Sequence, residues 1–392
     1  MSFPRFTKTV IGVIDNSVGS PEMNTSLAAG DINGNGAIDI VVSGWHGRMV
    51  WLENRGQAPW AEHVIDGAVK NVECGAILRD ITGSGRLDIM NGSARGGEIW
   101  WWEHPTAGEA NWTKRSILKT GVGFFHDTAI GDATNDGRMA LLTTNQDPTQ
   151  AKTTVYLIPL PADPTVSPWP DVQVIAEGLS EELEAPDGQI IKQQAEEGLA
   201  VGDIDGDGLN EVVAGTHWYK YVNGRWEGNK FASGYITNKV AIGDVDGDGQ
   251  NEIVLAEGDP VIYGKTQGGR VGWFKPGPDV TALWQEHTLD DGLLDAHTLV
   301  LGDVNGNGKL DILVGEIGMA SPTRGYRRRD PWNLLYENLG GGRFARHIID
   351  QGTGNHEGIL ADLNGNGLLD LISKPLHGPD RWNVIVFYQE AD

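Results

Sequence analysis

Cysteine is nearly missing from this chain, with one among 392 residues. A lone cysteine excludes an intrachain disulfide framework and a cysteine-based metal cluster. Cations are scarce too: Lys and Arg number 30 against 54 Asp and Glu, a formal net charge of −24. Such an acidic surface excludes nucleic acid or an anionic membrane as the main partner, because both need neutralising cations. No apolar run approaches the roughly 18 residues of a membrane-spanning helix. The opening MSFPRFTKTVIGVID has no basic start followed by an apolar stretch and does not read as a signal peptide. The chain is therefore expected in the cytoplasm if complete, and secreted or periplasmic if a leader was removed. Neither G-x-S-x-G nor G-x-x-x-x-G-K-[ST] occurs, so serine-nucleophile and P-loop chemistry lack support.

Glycine, by contrast, is in excess: 55 residues, about twice ordinary usage. Much of it sits in one repeated motif, approximately D-x-[DN]-G-[DN]-G-x-x-[DE], whose copies begin at Asp31, Asp80, Asp132, Asp203, Asp244, Asp303 and Asp362. Short apolar runs flank each copy, as in SLAAG before Asp31 and IDIVVSG after it. Such runs bounded by Gly and Asn predict buried strands joined by a tight turn. The copies lie 49, 52, 71, 41, 59 and 59 residues apart. An aromatic-rich run follows most of them (MVWLEN, EIWWWEH, VGWFKPG), and often a fourth segment such as WAEHVID or WTKRSIL. Four strands at this period predict propeller blades. The C-terminus stops after the third strand of the last unit, while FTKTVIG near the N-terminus resembles an orphan fourth strand. Pairing them leaves no open sheet edge. The expectation is all-β: residues 1–392 as a single domain, one seven-bladed β-propeller whose last blade is closed by the N-terminal strand.

The run GDVDGDGQNE, Gly243 to Glu252, resembles the FG-GAP or VCBS repeat, which adhesion proteins, lectins and lyases share. More loosely, the chain is similar to the propeller of aldos-2-ulose dehydratase and to propeller-type polysaccharide lyases. That likeness rests on the third strand Gly96–Glu103, the NWTKR run from Asn111 to Arg115, and the His-led strand HTLVLGDVNGNG from His297. It implies lyase or dehydratase chemistry on sugars, though the further domains of the dehydratase are lacking.

Alternating carboxylates and amides suit a hard cation with oxygen ligands, Ca²⁺ above all. Five loops keep oxygen donors at their first, third, fifth and ninth positions. They are Asp31, Asn33, Asn35 and Asp39; Asp203, Asp205, Asp207 and Glu211; Asp244, Asp246, Asp248 and Glu252; Asp303, Asn305, Asn307 and Asp311; and Asp362, Asn364, Asn366 and Asp370. The Asp80 and Asp132 loops are expected to bind weakly or not at all. The alternative is that these side chains cap their own turns without metal.

Six residues before each leading Asp, the positions are Thr25, Cys74, His126, Glu197, Asn238, His297 and His356. All should surround the channel at the end away from the Asp loops. Three His and one Glu at one depth are a recipe for a divalent metal of unknown identity, held by His126, Glu197, His297 and His356. A hydrogen-bonded polar plug is the alternative. His63, His287 and His347 recur in the fourth strand, which a repeated half-exposed position explains.

The same end is expected to carry Trp45, His46, Arg48, Arg95, Gln146, His217, Trp218, Tyr219 and His377, with the Arg-rich insertion holding Arg324, Arg327, Arg328 and Trp332. Arg clusters bind carboxylates through paired hydrogen bonds, and Trp or Tyr faces suit sugar rings; a solvated loop pairing with nearby acids is the plainer alternative. These features predict a carbon–oxygen lyase that performs β-elimination on a keto-sugar or a uronate-containing glycan. His46, His217, Tyr219 or His297 would serve in proton transfer. A calcium-dependent lectin-like or integrin-like propeller competes with that reading. So does a glycoside hydrolase drawing on Asp147, Glu197 or Glu257.

Overall fold

The structure is a computed structural model that describes residues 3–73, 75–106, 111–147, 152–184, 190–193, 197–261, 265, 268–318 and 329–390. Seven four-stranded antiparallel sheets form its blades, and in six the strands run in chain order from the axis outward. The innermost strands are Ser26–Gly30, Ile77–Arg79, Phe124–Gly131, Leu199–Gly202, Asn238–Gly243, Ala296–Gly302 and Glu357–Ala361 for blades 1 to 7. In blade 7 the outermost strand is Phe6–Val13, paired antiparallel with the C-terminal strand Asn383–Gln389. The orphan strand thus closes the ring as expected, and the inner strands of blades 7 and 1 pack together.

Strand alternation directs one apolar face of each sheet toward each neighbouring blade. Seven apolar clusters result, one at each interface between blades; Leu142, Leu157 and Val212 join blades 3 and 4, and Val213, Leu255 and Phe274 join blades 4 and 5. Two features were not anticipated. His217–Val222 is the third strand of blade 4 rather than a loop beyond the second, and Arg225–Lys230 follows as the fourth. A hairpin of Glu181–Glu184 and Ile190–Gln193 accounts for the long 71-residue spacing before blade 4.

The Asp loops connect first and second strands and bind much of their own backbone. In blade 1, Asp31 accepts the N–H groups of Asn35 and Gly36 at 3.0 and 2.8 Å. Gly34 and Gly36 adopt φ of +74° and +88°, which a side chain would strain. The ninth-position carboxylate is buried and accepts the N–H following the leading Asp: Ile32 to Asp39 at 3.0 Å, Val304 to Asp311 at 2.9 Å, Leu363 to Asp370 at 3.0 Å. The degenerate Asp80 loop makes the same bonds, from Ser84, Gly85 and Ile81. First and ninth residues therefore build the turn whether the third and fifth are carboxylates and amides or only hydroxyls. In blades 4 and 5 the chain also supplies a cation. Lys220 Nζ lies 2.5, 2.6 and 3.2 Å from Asp205, Asp207 and Glu211. Lys275 likewise joins Asp246 and, at 2.6 Å, Asp248.

Candidate active site

At the opposite end, each inner strand begins beside the axis. The residues six before the leading Asp are buried there: Thr25, His126, Glu197, Asn238, His297 and His356. Cys74 lies outside the described residues. Two of the inner strands are bulged at this point. Pairing slips between Phe125 and Thr128 in blade 3, and between Ala296 and Thr298 in blade 6. A bulge re-aims side chains at a sheet end, and these two hold His126 with Asp127, and His297.

Three predicted ligands converge. Glu197 Oε2 lies 3.7 Å from His126 Nε2 and 3.4 Å from His297 Nε2, and the three ligand atoms fall within 4.8 Å of one another. That oxygen is buried and makes no hydrogen bond. His297 Nδ1 is 3.0 Å from the His356 carbonyl oxygen, which can only accept. The ring therefore carries its proton on Nδ1 and turns the Nε2 lone pair toward Glu197. An anionic oxygen facing an imidazole lone pair is repulsive unless a proton or cation sits between them. Ligands bonded at about 2.1 Å in a tetrahedron stand about 3.4 Å apart, so the donor set and spacing fit a divalent cation. His356 stacks on His297, with ring centroids 4.1 Å apart, and its Nδ1 meets the Thr25 carbonyl at 3.2 Å. It groups with His297 and Glu357 rather than completing the trio.

Charges at this end are strongly coupled. Burial disfavours a charge on His126, but Glu197, Asp127 and Glu73 together outweigh it and raise the imidazole to about 9. Burial and the Lys239 charge hold His297 down to about 4 despite Glu197. Burial, followed by the neighbouring His297, keeps His356 well below the ordinary range. Burial would raise Glu197, yet the surrounding positive charges, His126 foremost and Lys239 after it, together hold it at about 2.

Sequence inspection missed several residues here. Lys239 of blade 5 reaches Asp127 of blade 3 at 2.9 Å, a largely buried ion pair beside the cluster. Glu73 accepts the Trp45 indole N–H at 2.6 Å, and its charge acts on His126. Asp259 has a buried oxygen without a hydrogen bond, and burial with the Glu197 and Asp295 charges raises its pKa well above normal. A Cβ on the preceding Gly258 would come within 2.5 Å of the Thr237 carbonyl oxygen, so glycine is needed where this segment passes beside Glu197 and His297. The signal available was adjacency, since Glu73, Asp127 and Lys239 each neighbour a ring position.

The other expected site residues scatter. Arg95 lies over the Trp45 ring at 5.0 Å, so these two and Glu73 form a platform leading to His126. Gln146 donates to Glu197 Oε1 at 3.4 Å. His377 is half-buried, held by burial at about 4, and its charge is felt at His356. His46 contacts the Ser20 carbonyl at 3.2 Å, and Arg48 pairs with Glu62. His217 meets Thr216 at 3.2 Å. Tyr219 and Trp218 point into the apolar cores on either side of blade 4. Trp332 is capped by Arg329 at 3.2 Å, and Arg329 makes a paired salt bridge to buried Glu316. Glu257 in blade 5 is held the same way, by Lys265 at 2.5 Å and the Arg270 N–H at 2.8 Å. These two carboxylates act as brackets between strands. Arg324, Arg327 and Arg328 lie outside the described residues.

No protein-family model matches the chain, and no curated protein matches its sequence. Among solved structures it is similar to the V. cholerae biofilm matrix protein Bap1, with a TM-score of 0.50 and 13% identity over 99% of this chain and 91% of that one. It is also similar to rhamnogalacturonan lyase YesW, with a TM-score of 0.48 and 12% identity over 97% of this chain and 75% of that one. At these identities the likeness concerns the fold alone.

Proposed function

We propose that this propeller is a metal-dependent carbon–oxygen lyase acting on a keto-sugar or a uronate-containing glycan at the axial end. The observation that carries the reading is Glu197 Oε2, buried without a hydrogen bond between two imidazole nitrogens at 3.4 and 3.7 Å. His126, Glu197 and His297 would hold the cation. When bound, it would polarise a carbonyl or carboxylate and so acidify the adjacent C–H. The Trp45 ring, steadied by Arg95 and Glu73, offers a flat apolar face for a sugar ring and a guanidinium for its oxygens. Proton removal falls to an imidazole outside the ligand set. His377 is held neutral at pH 7 by burial, and His46 and His217 open third strands at this same end. The C–H electron pair becomes the new C=C bond, and the β C–O bond breaks with its electrons leaving on oxygen.

The test is to strip the protein with a chelator, reload it with Zn²⁺ or Mn²⁺, and incubate it with oligouronates and keto-sugars while following ultraviolet absorbance. Metal-dependent formation of an unsaturated product, abolished in His297→Ala, is expected; no product with any of them overturns the proposal. One observation favours a second reading, a closed structural centre: Glu197 and His297 are each only 2% exposed. In that case chelation would lower the melting temperature sharply, and no activity would accompany the metal.

A further inference from the structure

The Asp-loop end of the propeller carries clefts between neighbouring blades, and two of them are cavities of contrasting chemistry. The one between blades 5 and 6, about 350 Å³, is lined by Asp244, Asp246, Lys309 and Asn338 together with four glycines. No aromatic ring lines it. The third-strand tryptophan of blade 5, Trp273, is covered instead: the glycine turn of blade 6 lies on it so closely that a Cβ on Gly342 would come within 2.9 Å of the ring. The cavity between blades 1 and 2 is larger, about 570 Å³, and there Trp51, the counterpart of Trp273, lines the wall. From blade 2, Arg86, His104, Pro105, Thr106 and Trp112 line this cavity together with Asn33 of blade 1.

We propose that this groove between blades 1 and 2 binds a neutral pyranose ring of a glycan, stacked on Trp51 and Trp112. This site is separate from the axial cluster and independent of its metal. Both rings are held in place before any ligand arrives. His63 stacks on Trp51 with centroids 4.3 Å apart and is itself fixed by Glu53 at 2.8 Å, while His104 backs Trp112 at 4.6 Å. Pre-positioned aromatic faces bury the C–H face of a sugar at little entropic cost. The volume lies within the range of small-ligand sites. The Asn33 amide and the Arg86 guanidinium, which bond Glu53 and the Pro105 carbonyl, have further N–H groups that hydroxyl oxygens can accept. Among the described lining residues one Asp31 stands against one Arg86, and the Asp31 oxygens are occupied by the N–H groups of Asn35 and Gly36. That balance favours an uncharged ring over a uronate or a phosphate.

The test uses full-length protein labelled with ¹⁵N-tryptophan, titrated with the methyl β-glycosides of glucose, galactose, mannose and N-acetylglucosamine. Indole signals are assigned by their loss in Trp51→Phe and Trp112→Phe. At least one glycoside is expected to shift the Trp51 and Trp112 signals together. Trp112→Ala should raise the Kd read from Trp51 at least tenfold, while Lys309→Ala in the other cleft leaves it unchanged. Absence of any shift at these two indoles overturns the proposal, as do shifts confined to other tryptophans such as Trp45, or a Kd unchanged in Trp112→Ala. Because the axial end is reported by Trp45 and this groove by Trp51 and Trp112, the two sites fail or succeed separately.

Discussion

At the loop end of the propeller, a carboxylate such as Asp370 accepts N–H groups from Leu363 and Gln389 at 3.0 and 2.8 Å, and the acid-rich loops of blades 4 and 5 receive Lys220 and Lys275. At the axial end, Glu197 keeps one oxygen without a hydrogen bond although it is equally buried. The same residue type is a finished part of a turn in one place and an unfinished coordination shell in the other. In the loops most acceptors meet N–H groups of the same turn, and the buried oxygens of Glu211 and Glu252 that make no hydrogen bond face Lys220 at 3.2 Å and Lys275 at 3.7 Å. At the axis Glu197 Oε2 faces two imidazole nitrogens from blades 3 and 6 instead. A protein seldom leaves a buried carboxylate oxygen unpaired without a reason, and the groups that face it differ between the two ends: a lysine of the same blade at the loops, imidazoles of other blades at the axis.

The contrast breaks most visibly through Glu197. Glu197→Gln should weaken Zn²⁺ or Mn²⁺ binding by roughly a hundredfold or more, since even outer-shell changes typically cost 10–100-fold; competition with a chromophoric chelator measures it. Wild-type affinity in this variant would remove the distinction between the two ends. A change at the loop end should do the reverse. Asp370→Ala strands two buried N–H donors and should cost about 2–4 kcal/mol in urea unfolding, with axial metal affinity unchanged.

Titration sharpens the comparison further. Burial raises Glu252 from 4.5 to about 7. A carboxyl whose folded pKa is raised favours folding while protonated, so its contribution is present below pH 4.5 and is lost as pH rises through about 7. Relative to wild type, Glu252→Gln should therefore gain about 1–3 kcal/mol between pH 4 and pH 8, read from urea curves across that range. The smallest effect is expected for Lys275→Met, which removes the ammonium from Asp246 and Asp248. It should lower stability by about 1 kcal/mol and add a Ca²⁺-dependent rise in melting temperature beyond any shown by wild type. No additional calcium response would show that the lysine does not stand in for a cation.

Much of the fold was legible because its determinants are local. The nine-residue loop specifies a turn through its leading Asp and its glycines, and the apolar runs on either side specify two strands. Blade 4 was harder to read, because HWYKYV has the polarity of a loop and the hairpin at 181–193 stretches the period. The ring register placed His126, Glu197 and His297 correctly because every inner strand starts at the same depth. It also grouped His356 with them, and the side chain instead stacks against His297 to one side.

What the sequence determined by itself was the repeat, and through it the number of blades, the closure by Phe6–Val13 and the end of the molecule at which polar residues gather. Only the tertiary structure decided which of those residues meet. The bulges at His126 and His297, the Asp127–Lys239 pair across blades 3 and 5, and Glu73 beside Trp45 all depend on strand ends brought together from distant parts of the chain. Loop chemistry is fixed mostly within one blade, by bonds of the nine-residue loop to itself and to the strands that follow it. The axial cluster is fixed by the packing of seven blades against one another, which no local stretch of sequence encodes.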